Sequence, residues 1–189
     1  INESGLLIDS SEDLRLALAN AARAPPGPKV LQLERGWYGV AGAFKVPNDV
    51  TIRGAGEGKT LLAWQYQDMA TAVPALLSAA DDTAPWQRWG LEDLSITANT
   101  YFHSVVNVTA NTNGFKMRRV NIRANSFFCA STTGVQNVTH PHQVAWSENS
   151  PNGAGVFSHV DPNAVVMNGR NWEISDCDIY SSWGVLKQP

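Results

Sequence analysis

The chain has 189 residues, of which 43% are hydrophobic and 16% are charged, and its formal net charge is −3 at pH 7. This length is sufficient for one domain with a substantial core. No basic stripe is present, which argues against nucleic acid as a partner. No apolar run approaches the ~18 residues that a membrane-spanning helix needs. The 15 glycines indicate many tight turns.

The first predicted element is an amphipathic helix close to the start of the chain. Ser10 is its expected N-cap, and Glu12 and Asp13 lie in its first turn. The apolar or small residues on one face are Leu14, Ala17, Leu18, Ala21 and Ala22. The sequence "PPG" at residues 25–27 ends the helix. We therefore predict that residues 1–28 form an N-terminal cap and that residues 29–189 form the main body.

After the helix the apolar period changes to two, which predicts strands in "KVLQLERGWYGV" and in "FKVPNDVTIRG". The stretch "VTIRGAGEGKTLL", residues 50–62, has some features of a phosphate-binding loop. That motif needs a glycine at position 53 and a helix after the loop, but position 53 is Arg53 and "TLLAWQ" favours a strand. We therefore predict no nucleotide site here and no cofactor.

An apolar spacing then recurs three times along the chain. The three copies are Trp89-x-Leu91-x-x-Leu94-x-Ile96, Phe115-x-Met117-x-x-Val120-x-Ile122 and Trp172-x-Ile174-x-x-Cys177-x-Ile179. Each copy predicts two strands joined by a bend of one extra residue, and the bend residues are Asp93, Arg119 and Asp176. Trp89 and Trp172 occupy matching inner positions and are predicted to be core residues, whereas Glu173 and Asp178 are predicted to face solvent.

A further strand is predicted before each copy, at residues 74–79, 104–108 and 163–168. A doubly wound sheet would require helices between successive strands, and the pattern predicts none there. Three short strands per repeat instead predict an all-β fold, a right-handed single-stranded parallel β-helix with an N-terminal capping helix. Its long loop insertion is expected at about 123–162.

The segment "VLQLERGWYGVAGAFKVPNDVTIRGAGEGKTLL" resembles the entry segment of the pectate-lyase-like β-helix superfamily. The resemblance is closest over residues 10–62 and includes Gly36-Trp37-Tyr38. It implies that Gly54 and Gly56 are bend residues, at which φ is positive or a Cβ does not fit. It indicates architecture far better than chemistry, because many activities share such a fold.

The resemblance implies a secreted protein that binds a polysaccharide along a groove formed by loops 97–103, 123–162 and 180–182. We expect an acid and base from these loops, together with an aromatic platform for a sugar ring. The candidate catalytic residues are His159, Asp161 and Asp178. The candidate substrate-binding residues are His140, His142, Trp146, Tyr180 and Trp183.

Each of these candidates has a simpler alternative. His140 and His142 are equally explained as solvated surface residues, and their spacing is not diagnostic of a metal site, so no metal is predicted. Asp161, followed by Pro162, is explained as closing a turn, and Asp176 as hydrogen bonding at its bend. The strands "PALLSA", "SVVNV" and "NAVVM" contain no carboxylate, which disfavours a calcium-dependent lyase.

The C-terminal sequence "SSWGVLKQP" is predicted to be the strand of a further repeat. The absence of an initiator Met and a signal segment indicates a processed chain or a piece of a longer one. A β-helix that is open at this end would expose apolar side chains and unpaired strand edges, so we expect that missing C-terminal repeats or a second chain stack on residues 180–189. Cys129 and Cys177 permit one disulfide, and Cys177 is equally explained as a buried thiol.

Two functions follow from these observations. The first is a carbohydrate-active enzyme, a glycoside hydrolase or polysaccharide lyase. The second is a non-catalytic surface or assembly protein that binds glycans or partner chains. Clustered carboxylates beside the binding surface favour the enzyme, whereas a flat surface with only aromatic and amide side chains favours the binding protein.

Overall fold

The structure is a computed structural model that describes residues 10–64, 75–81, 86–100, 104–109, 111–126, 163–167, 170–181 and 184–187. The described residues include one helix, α1 (Ser11–Arg23), and thirteen strands. The strands are β1 (Lys29–Gln32), β2 (Gly36–Val40), β3 (Phe44–Val46), β4 (Val50–Arg53), β5 (Thr60–Trp64), β6 (Leu77–Ala79), β7 (Trp89–Thr100), β8 (Ser104–Val108), β9 (Lys116–Ser126), β10 (Asn163–Met167), β11 (Glu173–Ser175), β12 (Asp178–Ser181) and β13 (Gly184–Lys187).

The predicted helix is confirmed, and it packs on the first strands of the chain. Leu14 and Leu18 on its inner face are only 5% and 4% exposed. The expectation for Ser10 is wrong in one detail, because its side chain makes no capping hydrogen bond. Its backbone N–H instead donates to the carbonyl oxygen of Gly39 at 2.7 Å, which ties the start of the helix to β2.

The larger sheet has eight strands, and all of its strand pairs are parallel. The long strand β7 lies at its centre and pairs with β4 along its first part and with β5 along its second. On its other side β7 pairs with β9, and β9 pairs in turn with β11 and β12. The smaller sheet has five parallel strands in the order β13-β10-β8-β6-β3. The strands predicted at residues 74–79, 104–108 and 163–168 are β6, β8 and β10 of this sheet.

The prediction of a right-handed single-stranded parallel β-helix is wrong. The described strands form two parallel sheets, of eight and five strands, beside one N-terminal helix, and these sheets are not arranged as a solenoid. The prediction required the bend to divide each repeat into two strands on different faces. Instead β7 and β9 run through Asp93 and Arg119 as single strands, although both residues have positive φ values of 56° and 51°. The recurring apolar spacing therefore reflects strand register within one sheet.

The core is built from residues that lie in register across the larger sheet. Ile96 is in register with Ile122, and Ile122 with Ile179. Leu94 is likewise in register with Val120. Ile96 and Ile122 are fully buried, and Ile179 packs against them from the partly buried edge of the core. These alignments, which the repeat predicts, are confirmed, whereas the corresponding Cys177 lies between β11 and β12 and is in neither strand.

The two tryptophans predicted to be core residues differ in the structure. Trp89 is only 3% exposed and its ring lies edge-on to that of Phe115, with 4.7 Å between the ring centroids. Trp172 is 37% exposed, so its assignment to the core is wrong. Trp172 directly precedes β11, which pairs only with β9 among the described strands, so Trp172 lies at the edge of the described sheet.

Candidate functional site

Most of the predicted site residues lie outside the described part of the chain. These are His140, His142, Trp146, His159, Asp161 and Trp183. The two described residues, Asp178 and Tyr180, are both in β12, where Tyr180 is in register with Arg123 of β9. The expected loop boundaries are too early, because β7 continues to Thr100 and β9 to Ser126. Among the described residues, Asp178 is thus the candidate around which a site can be built.

Asp178 belongs to a set of four residues that lie in register across four strands. This set, here called the outer row, consists of Leu61, Ser95, Asn121 and Asp178. The residue that follows each of them is an inner, core-facing residue, and side chains alternate between the two faces of a strand. The outer row therefore lies on the face of the larger sheet that points away from the core.

The turn between β4 and β5 is held against the outer row by hydrogen bonds. The backbone N–H of Gly58 donates to the Ser95 hydroxyl oxygen at 2.9 Å, and that of Gly56 donates to the carbonyl oxygen of Asp93 at 2.8 Å. Gly56 has a φ of 132°, a conformation that side-chain-bearing residues rarely adopt. These contacts place Glu57, which lies between the two glycines, over the row.

Glu57 and Asp178, here called the carboxylate pair, are linked by one side-chain amide. Asn121 Nδ2 donates to Glu57 Oε1 at 3.0 Å and to Asp178 Oδ2 at 3.4 Å. Arg123 Nη2 also donates to Asp178 Oδ2, at 2.6 Å. Because both contacts involve the same nitrogen atom, Glu57 Oε1 and Asp178 Oδ2 lie no more than the sum of these two distances apart. Two carboxylates from distant parts of the sequence thus lie close together on an exposed surface.

The charged residues beside the outer row form ion pairs across neighbouring strands. Arg119 Nε donates to Asp93 Oδ1 at 2.6 Å and its Nη2 donates to Asp93 Oδ2 at 2.9 Å. This two-point hydrogen bond from Arg119 lowers the pKa of Asp93 below its usual value, against an opposing effect of partial burial. Arg53 pairs with Glu92 at 2.7 Å on the same face. The cations of this surface are therefore largely balanced by carboxylates.

The side chains of Arg123 and Asp178 at the outer row are 49% and 59% exposed to solvent. Two cavities formed by described residues, of about 220 and 380 Å³, lie elsewhere. The first lies between α1 and the strands β1 and β2, and the second lies near the C-terminal end of α1. Within the described residues no group of three or more His, Cys, Asp or Glu side chains is placed to hold a metal ion. An open polar surface offers more contacts to a long polymer than to a small molecule.

Sequence reasoning identified Asp178 but missed Glu57, Asn121 and Arg123. A signal for Asn121 was present, because Ser95, Asn121 and Asp178 each precede the aligned isoleucine of their repeat. No comparable signal existed for Glu57, since its position depends on the folded turn between β4 and β5. Comparisons of the chain with protein-family models, with curated proteins and with solved structures find no match. None of the described helices has the length and apolar character required to cross a membrane.

Proposed function

We propose that this chain is an extracellular carbohydrate-active protein that binds a polysaccharide over the outer row and hydrolyses one of its glycosidic bonds. The observation that supports the proposal best is the shared hydrogen bonding of Glu57 and Asp178 to Asn121. Glycoside hydrolases generally use two carboxyl groups that flank the bond to be cleaved. The carboxylate pair supplies one such group from β12, which is in fixed register with β9, and one from the turn between β4 and β5.

In this proposal Asp178 attacks the anomeric carbon while Glu57 donates a proton to the leaving oxygen. The carbon–oxygen bond to Asp178 forms as the glycosidic bond breaks, and a water molecule then releases the sugar and returns the proton to Glu57. Asp178 suits the first role because β12 fixes its position and Arg123 balances its charge. This two-step route retains the configuration of the sugar and requires the two carboxyl groups to lie about 5–5.5 Å apart. His159 and Asp161 remain predicted contributors.

A second function, glycan binding without hydrolysis, is supported by a different observation. The side chain of Asp178 is 59% exposed, and its Oδ2 atom already accepts a hydrogen bond from Arg123. Catalytic carboxylates commonly lie in sites from which water is excluded, and this surface does not exclude it. Asn121, Arg123 and the carboxylate pair would then serve only as hydrogen-bonding partners of sugar hydroxyl groups.

Substitution of each member of the carboxylate pair distinguishes these functions. We expect Glu57→Gln and Asp178→Asn each to lower kcat by about 100-fold or more on a cleaved polysaccharide. Glu173→Gln is the matched control, because Glu173 is an exposed carboxylate on the same sheet that pairs with Lys116 and Arg118. Turnover should be measured by release of reducing ends from neutral and acidic polysaccharides, beside affinity electrophoresis and a thermal melt.

The outcomes separate hydrolysis from binding. Loss of turnover in both variants, with control turnover and melting temperature unchanged, supports the hydrolase. Binding by the wild type without cleavage, weakened by the same two substitutions, supports the second function. If the wild type neither binds nor cleaves any polysaccharide of the panel, both functions are rejected.

A further inference from the structure

Trp37 is an exposed aromatic residue that extends the outer row by one strand. It lies in β2 and is in register with Leu61 of β5, the first member of the row. The next residue, Tyr38, is in register with the fully buried Leu62 and packs against the core. Trp37 therefore lies on the outer face with the rest of the row, and it is 51% exposed.

The extended row is long enough to contact several sugar units. The row crosses five strands, from Trp37 in β2 through β5, β7 and β9 to Asp178 in β12. Because neighbouring strands lie about 4.8 Å apart, the four spacings between these ends amount to about 19 Å. The side chains along it are aromatic, aliphatic, hydroxyl, amide and carboxylate. The row therefore offers a stacking surface at its Trp37 end and hydrogen-bonding partners at its Asp178 end.

The charges beside the row indicate an uncharged ligand. The five cations that the structure describes on β4 and β9 each have a carboxylate within 4.0 Å. The pairs are Arg53–Glu92, Arg119–Asp93, Arg123–Asp178, Lys116–Glu173 and Arg118–Glu173. A polyuronate would have to compete with these carboxylates for the same cations, and it would be repelled by Glu57 and Asp178. A neutral sugar chain has neither disadvantage.

We propose that Trp37 stacks on a sugar ring of a neutral polysaccharide that lies across the strands, with its other end at the carboxylate pair. This inference rests on the proposed function and names both an additional binding residue and the substrate class. The flat indole ring offers an apolar face to the C–H groups of a sugar, and tryptophan loses little conformational freedom when it is covered. A single exposed tryptophan is common on protein surfaces, but this one lies in register with the site.

The test is the length dependence of binding in a Trp37→Ala variant. The probes are disaccharides through hexasaccharides of β-1,4-linked glucan, mannan and xylan, with polygalacturonate as the anionic comparison, and binding is measured by calorimetry. We expect the variant to bind hexasaccharides about five- to tenfold more weakly than the wild type, with disaccharide binding unchanged. Trp37→Phe should retain most of the wild-type affinity, because it keeps an aromatic face.

Trp86→Ala is the matched control, because Trp86 is 59% exposed and lies outside the strands of the row. Its affinities should equal those of the wild type. Equal loss in the Trp37→Ala and Trp86→Ala variants, or no loss in the former, would overturn the role of Trp37. Tighter binding of polygalacturonate than of every neutral chain would overturn the substrate class. Either result leaves the proposed function standing, whereas wild-type protein that binds no probe at all rejects both.

Discussion

Replacing Gly54 with alanine tests the close packing that holds the turn of Glu57 against β7. A Cβ atom added at Gly54 would lie 2.4 Å from the carbonyl oxygen of Asp93, 2.7 Å from Thr60 Cβ and 2.9 Å from Leu94 Cβ. All three atoms belong to the backbone or lie next to it, so no flexible side chain can move aside. The backbone N–H of Gly54 also donates to the carbonyl oxygen of Glu92 at 2.9 Å, which resists displacement of the turn.

The expected loss is near the upper end of the range for an overpacked site. Such sites cost about 1–3 kcal/mol, and three unavoidable contacts place Gly54→Ala at about 3 kcal/mol. For a chain of this size that corresponds to a fall of roughly 6–12 °C in melting temperature. Gly36→Ala is the control, because its nearest neighbour would be a Tyr38 ring carbon at 3.6 Å and its φ is not positive. We expect that control to be neutral or slightly stabilising, since alanine restricts the unfolded chain.

Thermal melts and urea titrations of the two variants provide the comparison. Weaker sugar binding by Gly54→Ala at temperatures where it remains folded would show that displacement of the turn also moves Glu57. A Gly54→Ala variant that melts within 2 °C of wild type would refute the close approach of the turn to β7. A similar fall in melting temperature in both variants would show that any added methyl group destabilises this region. The contacts of a Cβ at Gly54 with Asp93, Thr60 and Leu94 would then not explain the loss.

Three further predictions concern stability and reactivity. Ile122 is fully buried, so Ile122→Ala should lower the free energy of unfolding by about 2–5 kcal/mol in urea titrations. Leu16 is 55% exposed, so Leu16→Ala should lower it by less than about 0.5 kcal/mol. Equal losses would contradict the assignment of Ile122 to the core. The hydrogen bond from Arg119 lowers the pKa of Asp93 in the folded protein. The hydrogen bond therefore stabilises the fold above about pH 4, and this stabilisation is lost as the pH falls through the pKa that Asp93 has in the folded protein. Asp93→Asn should therefore flatten the acid limb of the stability curve, and an unchanged limb would contradict this linkage. Partial burial raises the pKa of Cys177, so iodoacetamide should modify this thiol slowly in the native protein and rapidly in urea. Mass spectrometry of the peptide that contains Cys177 measures both rates, and equal rates would contradict its burial.

The individual elements could be predicted from the sequence, but their assembly could not. The helix and most strands follow from local periodicity, and the alignment of Ile96 with Ile122 and Ile179 follows from the repeat. The repeat shows the bend at Asp93 as one extra residue, but it does not show whether the strand ends at this bend. Periodicity does not reveal whether a residue with positive φ ends a strand or lies within it, and here β7 continues through the bend.

The candidate site shows the same division between local and long-range information. Asp178 was identified as an exposed carboxylate, and the repeat places Asn121 and Arg123 beside it on β9. Glu57 joins them across 64 positions of sequence, through a turn whose path is set by glycines and by a hydrogen bond to Ser95. Trp37 was noted only as part of the Gly36-Trp37-Tyr38 segment, because its alignment with the row requires the pairing of β2 with β5.

A titration followed by nuclear magnetic resonance tests most directly whether the outer row binds polysaccharide. The protein would be labelled with ¹⁵N and titrated with the neutral hexasaccharide that binds most tightly in calorimetry. We expect the side-chain amide signals of Asn121 and the indole N–H signal of Trp37 to shift and to saturate together, while the indole signal of Trp86 stays in place. Saturable binding that leaves the Asn121 and Trp37 signals unchanged would place the sugar elsewhere on the protein and contradict the account.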